Sequence, residues 1–236
     1  MAGALALRSS DGLAICNVFA APAGGKPAPA VIILHEIFGL TDFIKSRVPF
    51  FTAQGFAALA VDMYFRASPG AVFHYEGQGF TDAFNTRNKL NDDQSVDDIG
   101  TIVEQVRARP ECNGVVHLVG YCLGGLQVYL AAARLAVTSG VAFHGVRLEK
   151  RLEVAPRVRT PLQLHFCGLD KHVSQAAVAQ VKAALAHKKD VEIFDYPTVD
   201  HGFTRTGLKV YNAAEAHSAH ARMFGFLERS GARAAA

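Results

Sequence analysis

The sequence predicts an α/β fold in which a mostly parallel sheet is flanked by helices on both faces. Short apolar runs alternate along the chain with segments whose apolar residues recur at helical spacing, and repeated strand–helix units of this kind produce parallel sheets. Half of the 236 residues are apolar and 19% are charged, which is an ordinary globular composition. At this length we expect one domain over residues 1–236.

The predicted strands are short segments rich in apolar residues, as expected for strands that helices cover. They span residues 31–34, 56–61, 115–119, 141–143, 162–167 and 191–196. The predicted helices carry apolar residues three or four positions apart, and lie around 44–51, over 95–107 and 126–135, after the capping residue Ser174, and over 213–227. Two segments do not follow this alternation of strands and helices. We expect segment 22–29 to form a turn after an N-terminal hairpin, and segment 66–91 to form a lid or pocket wall.

Charge and hydropathy exclude several classes of function. The chain has 24 basic and 21 acidic residues, a net charge of +3, and the basic residues are scattered, so we expect no nucleic-acid partner. No apolar run reaches the roughly 18–20 residues that span a bilayer, and Met1 to Asp11 lacks a secretory signal. We therefore expect a cytoplasmic protein with no membrane partner, and a monomer rather than an obligate oligomer.

The four cysteines, Cys16, Cys112, Cys122 and Cys167, are widely spaced and form no Cys-x-x-Cys pair. This spacing predicts free thiols rather than a disulfide framework or a zinc site. Since no cluster of His, Asp and Glu has ligand spacing either, we expect no metal and no organic cofactor.

The most informative segment is Gly-Tyr-Cys-Leu-Gly at 120–124, which joins a predicted strand directly to a predicted helix. A side chain at such a sharp turn stands clear of the backbone, and the small residues around it let the chain fold back. The Leu123 N–H and the helix N-terminus would favour a thiolate and stabilise an oxyanion. Cys122 is therefore the predicted nucleophile, and a small buried hydrophobe in a tight turn is the alternative.

A thiol nucleophile needs a base and a group that orients the base. In α/β-hydrolases the chain order is nucleophile, acid, histidine, each on a loop after a later strand. Asp170 and His201 follow the strands at 162–167 and 191–196, where open α/β sheets place their sites. A turn carboxylate and a surface histidine are the alternatives, and His172 and Asp200 are local competitors.

The segment His-Glu-Ile-Phe-Gly at 35–39 follows another predicted strand end. In this architecture that loop supplies the second N–H of the oxyanion hole, here the N–H of Ile37. Glu36 would then face the thiol as a second carboxylate, and a solvated or helix-capping glutamate is the alternative.

These motifs resemble the dienelactone hydrolase (carboxymethylenebutenolidase) family of α/β-hydrolases. The matching segments cover nearly the whole chain, with Val-Asp-Met-Tyr at 61–64, Leu-Glu-Lys at 148–150, Gly-Leu-Asp at 168–170 and His-Gly-Phe-Thr-Arg at 201–205 beside the segments above. The resemblance implies a triad of Cys122, Asp170 and His201. It also implies that Glu36 meets the thiol in the resting site and moves away when substrate arrives, and that Arg205 pairs with Glu36 or with a substrate carboxylate.

The chain departs from the family pattern in the substrate pocket. Family members that cleave dienelactone use a second arginine, a tyrosine and a tryptophan there, whereas this chain has Phe80 and Phe84 in that segment and no tryptophan. Arg87 is a candidate replacement for the arginine, and a solvated helix residue is the alternative. The predicted substrate-contacting residues are Phe38, Phe80, Phe84, Arg87, Tyr121 and Arg205.

We therefore predict a hydrolase that cleaves dienelactone, or a related activated lactone or ester, through a thioester on the triad cysteine. The loss of one cationic contact weakens binding of an anionic substrate by roughly 1.5–3 kcal/mol. A hydrolase of neutral activated esters, phosphotriesters included, is accordingly the first alternative. A non-catalytic ligand-binding or redox-sensing module with an oxidisable Cys122 is the second.

Overall fold

The structure is a computed structural model that describes residues 2–235. Within that range seven strands pair in a mixed, mostly parallel sheet with helices around it, which confirms the predicted fold class. The strands are β1 (Asn17–Ala20), β2 (Ala28–Leu34), β3 (Ala57–Val61), β4 (Cys112–Tyr121), β5 (Ser139–Phe143), β6 (Leu162–Cys167) and β7 (Val191–Tyr196). The helices are α1 (Asp42–Thr52), α2 (Gly77–Arg87), α3 (Asp92–Arg107), α4 (Leu123–Arg134), α5 (Gln175–Leu185) and α6 (Ala213–Ala235), with 3₁₀ helices at Leu148–Lys150 and Leu152–Arg157.

The chain divides into two compact units, of which the first ends at Leu118 and the second begins at Val119. The strand order is β1-β3-β2-β4 in the first unit, and β4 continues into the second, where the order is β4-β5-β6-β7. The single domain expected from the sequence stays a prediction.

In the first unit, β2 and β3 pair in parallel and β1 closes the edge antiparallel to β3. Every residue of β3 is buried, as its uninterrupted apolar sequence requires. Helix α1 buries Ile44, Val48 and Phe51 from successive turns, which accounts for the helical spacing of these residues in the sequence.

In the second unit, β5, β6 and β7 run in parallel, with Gly140 opposite Leu162 and Leu162 opposite Val191. Their carboxyl ends therefore meet at one edge of the sheet, where the loops after all three strands begin. Helix α4 is buried from Leu123 to Ala133, because its apolar residues cover its whole circumference.

The predicted strands and helices are all present. Their ends differ by a few residues, except that α6 was predicted to end at 227 and continues to Ala235. The helix predicted over 95–107 begins at Asp92, because the Asn91 side chain accepts the N–H groups of the first turn. Ser174 caps α5 as predicted, accepting the Ala177 N–H at 3.2 Å. Where the sequence predicted an N-terminal hairpin before residue 22, the structure has β1, which pairs with β3. Helix α2 was not predicted, because its glycines and polar residues leave it without an apolar stripe.

None of the helices described between residues 2 and 235 is long and apolar enough to cross a membrane. The cytoplasmic location, the monomeric state and the absence of nucleic-acid partners stay predictions.

The segment 66–91 packs against the loop that follows β2. The Phe73 N–H donates to the Phe38 carbonyl at 3.0 Å, and Gly39 forms an antiparallel bridge with Val72. Gly39 has a φ of 81°, and a Cβ there would overlap the Ala71 carbonyl oxygen. Glycine is therefore needed at this position for the segment to lie against the loop.

Gly39→Ala should destabilise the protein more than the matched change Gly55→Ala. Gly55 has a φ of 86°, but a Cβ there meets no atom within 4 Å. Both changes cost about 1–2 kcal/mol for the left-handed backbone, whereas Gly39→Ala adds overpacking of about 1–3 kcal/mol. Urea unfolding of the two variants measures the difference, and equal losses of free energy of unfolding would contradict the close approach.

Candidate active site

The turn between β4 and α4 holds Cys122 in a strained backbone conformation, with φ 54° and ψ −109°. Its N–H donates to the Phe143 carbonyl at 3.0 Å, and its carbonyl accepts the N–H groups of Gly125 at 3.0 Å and Val146 at 3.3 Å. These hydrogen bonds offset the strain, which costs on the order of 1–3 kcal/mol. The thiol is thereby held at the N-terminus of α4.

Two glycines make room for this turn. A Cβ at Gly120 would overlap the Gly124 carbonyl oxygen, and a Cβ at Gly125 would lie 2.7 Å from the Gly145 Cα. Leu123 is the first residue of α4, so its N–H has no acceptor within the helix. The turn has the geometry that the sequence predicted for a nucleophile with a backbone donor beside it.

The ring of His201 is bound by Asp170, and both side chains are buried. The ring Nδ1 donates to Asp170 Oδ2 at 2.7 Å, while Oδ1 accepts the N–H groups of His172 at 2.7 Å and Val173 at 3.1 Å. Burial opposes the charge of Asp170, but these hydrogen bonds and the charge of His201 hold its pKa below the ordinary value. Asp170 is therefore a carboxylate that fixes the orientation of the ring.

The structure separates the predicted pair from its local competitors. Asp200 Oδ1 accepts the backbone N–H of His201 at 2.6 Å, so this carboxylate braces the loop rather than the ring. The His172 ring lies edge-on to the His201 ring, with centroids 4.9 Å apart and planes at 76°. Of the two carboxylates, Asp170 is the one that binds the His201 imidazole.

His201 also contacts Cys122, and this contact helps to determine the charge of the His201 ring. Burial disfavours the charged ring, but the negative charge of Cys122 and hydrogen bonds to Asp170 and Cys122 raise the pKa of His201 to about 10. Because Asp170 occupies Nδ1, the ring nitrogen that serves Cys122 is Nε2. With this raised pKa, the His201 ring is protonated on both nitrogens at neutral pH.

Arg205 lies on the same loop as His201 and is buried. Its N–H donates to the Gly202 carbonyl at 2.9 Å, and its guanidinium packs over the Gly202 backbone. After burial and the charge of His201, the charge of Arg205 contributes to lowering the pKa of both His144 and His172. Arg205 is thus part of the electrostatic environment of the His144 and His172 rings, which both pack against the His201 ring.

A sequence model of the Dienelactone hydrolase family matches residues 15–231. The chain belongs to this family. It is accordingly a hydrolase of the ester-cleaving type with the α/β-hydrolase fold. This membership confirms the family that the sequence motifs indicated.

Dienelactone hydrolase relatives match over most of their length. A carboxymethylenebutenolidase of Pseudomonas putida is 31% identical over 224 residues, which cover 94% of each chain. Carboxymethylenebutenolidase 1 of Cupriavidus pinatubonensis is 31% identical over 203 residues, which cover 84% of this chain and 86% of the relative. Among solved structures, a provisionally named dienelactone hydrolase of Klebsiella pneumoniae is 24% identical with a TM-score of 0.86, covering 97% of this chain and 98% of the other. A dienelactone hydrolase-like promiscuous phosphotriesterase from metagenomic libraries is 23% identical with a TM-score of 0.79 at the same coverage.

In the first unit, Glu36 and Ile37 lie on the loop after β2, and both are buried. His35 fixes the loop: its Nε2 accepts the Met63 N–H at 2.9 Å, so Nδ1 carries the proton and donates to the Glu36 carbonyl at 2.5 Å. The Tyr64 hydroxyl donates to the Ile37 carbonyl at 2.7 Å. The solvated alternative for Glu36 is wrong, and its meeting with the thiol stays a prediction.

The predicted substrate-contacting residues of the first unit lie in different environments. The Phe38 ring packs edge-on against Tyr75, with centroids 4.5 Å apart, and lies 6.1 Å from Phe80. Phe84 is 52% exposed, so it lies at the surface of α2 rather than among these rings. In the second unit, Tyr121 is buried and stacks on Phe143 at 5.1 Å.

Arg87 is not the solvated helix residue that the alternative required, because it is buried. Its Nη2 donates to both carboxylate oxygens of Asp92, at 2.7 and 2.9 Å. A buried arginine needs such a partner, since an uncompensated charge is costly to desolvate. The guanidinium is thus engaged in joining α2 to the start of α3, and its role toward substrate stays a prediction.

The sequence pattern gave no role to two histidines, one in each unit. His144 packs against His201 with centroids 4.3 Å apart, and His35 holds the loop of Glu36 and Ile37. Both follow strand ends, which was the available signal. Their ring contacts could not be found from sequence, because they depend on backbone torsions such as the φ of 40° at His144.

Asp170→Asn should lower the pKa of His201, whereas Asp200→Asn should leave it nearly unchanged. Removing a neighbouring opposite charge shifts a pKa by roughly 1–3 units, and of these two carboxylates Asp170 is the one that binds the ring. Titration of the histidine rings by NMR in both variants measures the shift. An equal fall in the two variants would contradict the assignment of Asp170 as the ring partner.

Proposed function

We propose that this protein hydrolyses dienelactone, or a related activated lactone or ester, with Cys122 as nucleophile, His201 as proton carrier and Asp170 as the orienting carboxylate. The observation that carries the proposal is the His201 ring itself, which is bound by Asp170 at Nδ1 and charged by its contact with Cys122. Membership of the family and the 31% identity to carboxymethylenebutenolidases support the substrate class.

The first half of the reaction forms a thioester. The Cys122 thiolate attacks the carbonyl carbon, and the Leu123 N–H at the start of α4 donates to the developing oxyanion. The carbon–oxygen bond then breaks, and the imidazolium of His201 gives its Nε2 proton to the leaving oxygen. An enol lactone suits this step because its leaving group is a conjugated enolate.

The second half releases the acid. His201, now neutral, takes a proton from water as the water attacks the thioester carbonyl, and the thiolate departs to restore the resting pair. Asp170 keeps the proton on Nδ1 throughout, so that Nε2 is always the nitrogen available for transfer. The contribution of the Ile37 N–H to the oxyanion hole is part of the same proposal.

A second candidate is a hydrolase of neutral activated esters, phosphotriesters included. The Arg87–Asp92 ion pair favours it, because that guanidinium is already bound by a carboxylate. Arg205 is the other cation among the predicted pocket residues, and its effect on an anionic substrate distinguishes the two candidates. The fold shared with a promiscuous phosphotriesterase is compatible with this candidate.

Cys122→Ala should abolish turnover of an enol lactone, with a loss of about 10³-fold or more in kcat, because no other group forms the thioester. Cys112→Ala is the matched control, since that thiol lies on the first part of β4, before the turn. Steady-state rates and mass spectrometry of the acyl-enzyme test the assignment. Undiminished turnover in the Cys122→Ala variant would overturn it, and absence of turnover in the wild type with every ester would favour the binding or redox-sensing module.

Arg205→Met should discriminate between the two substrate classes. If Arg205 binds a substrate carboxylate, kcat/KM for a dienelactone free acid should fall by about 10-fold or more, the value of a charge-assisted hydrogen bond, while that for its neutral methyl ester should change little. Arg87→Met is the comparison, because its guanidinium is occupied by Asp92. A wild-type preference for the ester, with equal effects of Arg205→Met on both substrates, would favour the neutral-ester candidate.

A further inference from the structure

His144 has a buried imidazole, and its backbone conformation and its surroundings are both energetically unfavourable. It follows β5 with a φ of 40°, its side chain is 0% exposed, and neither ring nitrogen has a hydrogen-bond partner among the described residues. Left-handed backbone and unsatisfied buried nitrogens each destabilise a fold. Its own N–H is satisfied by the His165 carbonyl at 2.8 Å, so the backbone holds the ring in place.

The ring of His144 is packed against the ring of His201. Their centroids lie 4.3 Å apart with planes at 54°, which is closer than the 4.9 Å between His172 and His201. His201 is therefore enclosed by two other imidazoles, by the carboxylate of Asp170 and by the thiol of Cys122. The His201 ring has the Asp170 carboxylate at hydrogen-bond distance.

The surroundings keep the His144 ring neutral. Burial, and after it the charges of His201 and Arg205, lower the pKa of His144 well below 6.5. Burial likewise lowers the pKa of the neighbouring His165, to about 3. A neutral aromatic ring within about 6 Å of a cation stabilises the cation through its π-electrons. The packing of His144 on His201 meets this condition when His201 carries the proton.

We propose that His144 is a positioning residue that acts through His201: its neutral ring packs on the His201 imidazolium, stabilises the charged form and so maintains the thiolate–imidazolium pair with Cys122. The inference deepens the proposed function and rests on it for its catalytic meaning. An apolar, non-aromatic side chain of equal volume at position 144 would keep the packing against His201 but would have no π-electrons to stabilise its charge.

Two substitutions at the same backbone position separate these possibilities. His144→Phe keeps a neutral aromatic ring, whereas His144→Leu keeps apolar volume without a π system, and both carry the same left-handed strain. Loss of the aromatic ring should lower the pKa of His201 by about 0.5–1 unit, which is a three- to tenfold fall in its proton affinity. The sign is downward because the contact stabilises the protonated form.

The test is an NMR titration of the histidine rings in the intact wild-type protein and in the variants. We expect the His201 midpoint to fall in His144→Leu, to stay in His144→Phe, and to stay in His187→Leu, which makes the same change at an exposed histidine. Equal midpoints in all four proteins would overturn the proposal, as would equal falls in the Leu and Phe variants at position 144.

The wild-type spectra provide a second measurement that needs no variant to fold. They should show His144 neutral and His201 protonated at neutral pH, and a protonated His144 would overturn the proposal. Because the readout is proton occupancy in the resting protein, it stays valid if no ester is turned over. A His144 effect without ester hydrolysis would leave the positioning role standing and reject the proposed function.

Discussion

The backbone turn at Cys122 is the constraint on which the rest of the site depends. An L residue adopts φ 54° and ψ −109° only at a cost, and here backbone groups of Phe143, Gly125 and Val146 hold it there. Gly120 permits the turn because a side chain there would overlap the helix that follows. The parallel register of β5, β6 and β7 then brings the loops of Asp170 and His201 to the same edge of the sheet. Strain at one residue is thus supported by a rigid sheet.

The second organising feature is the placement of charge. His144, His165 and His172 all have a lowered pKa, with burial as the largest cause, whereas His201 alone among these four has a raised one. The opposite direction of the pKa shift comes from the hydrogen-bond partners of His201 and not from its burial, because His201 has the Asp170 carboxylate and the Cys122 sulfur at its two ring nitrogens. Neutral imidazoles around a charged one keep the positive charge at a single ring, where a proton can be transferred.

Much of the fold and the second-unit geometry could be predicted from the sequence, and the reason differs by element. Strands such as β2 and β3 are unbroken apolar runs, and the residues of the Gly-Tyr-Cys-Leu-Gly turn include the glycines that its close backbone approach requires. Helix α2 could not be predicted, because Gly77 and Gly79 disfavour a helix and its stability comes from contacts. The same holds for Arg87, whose burial depends on Asp92, five residues away across a helix boundary that the pattern did not reveal. Ring packing around His201 depends on the φ of His144, which no local residue pattern encodes.

In the proposed mechanism, acylation itself converts His201 from an acid into a base. The charge of Cys122 is the first of the contributions that raise the pKa of His201 to about 10, and it disappears when the sulfur becomes a thioester. Asp170 remains, so the ring keeps its orientation and its proton on Nδ1 while its affinity for a second proton falls. A ring that was firmly protonated in the resting pair can then accept a proton from water in the acyl-enzyme. Release of the acid restores the thiolate, and the ring holds its proton tightly again, so the charge of the sulfur sets the direction of proton transfer in each half-reaction.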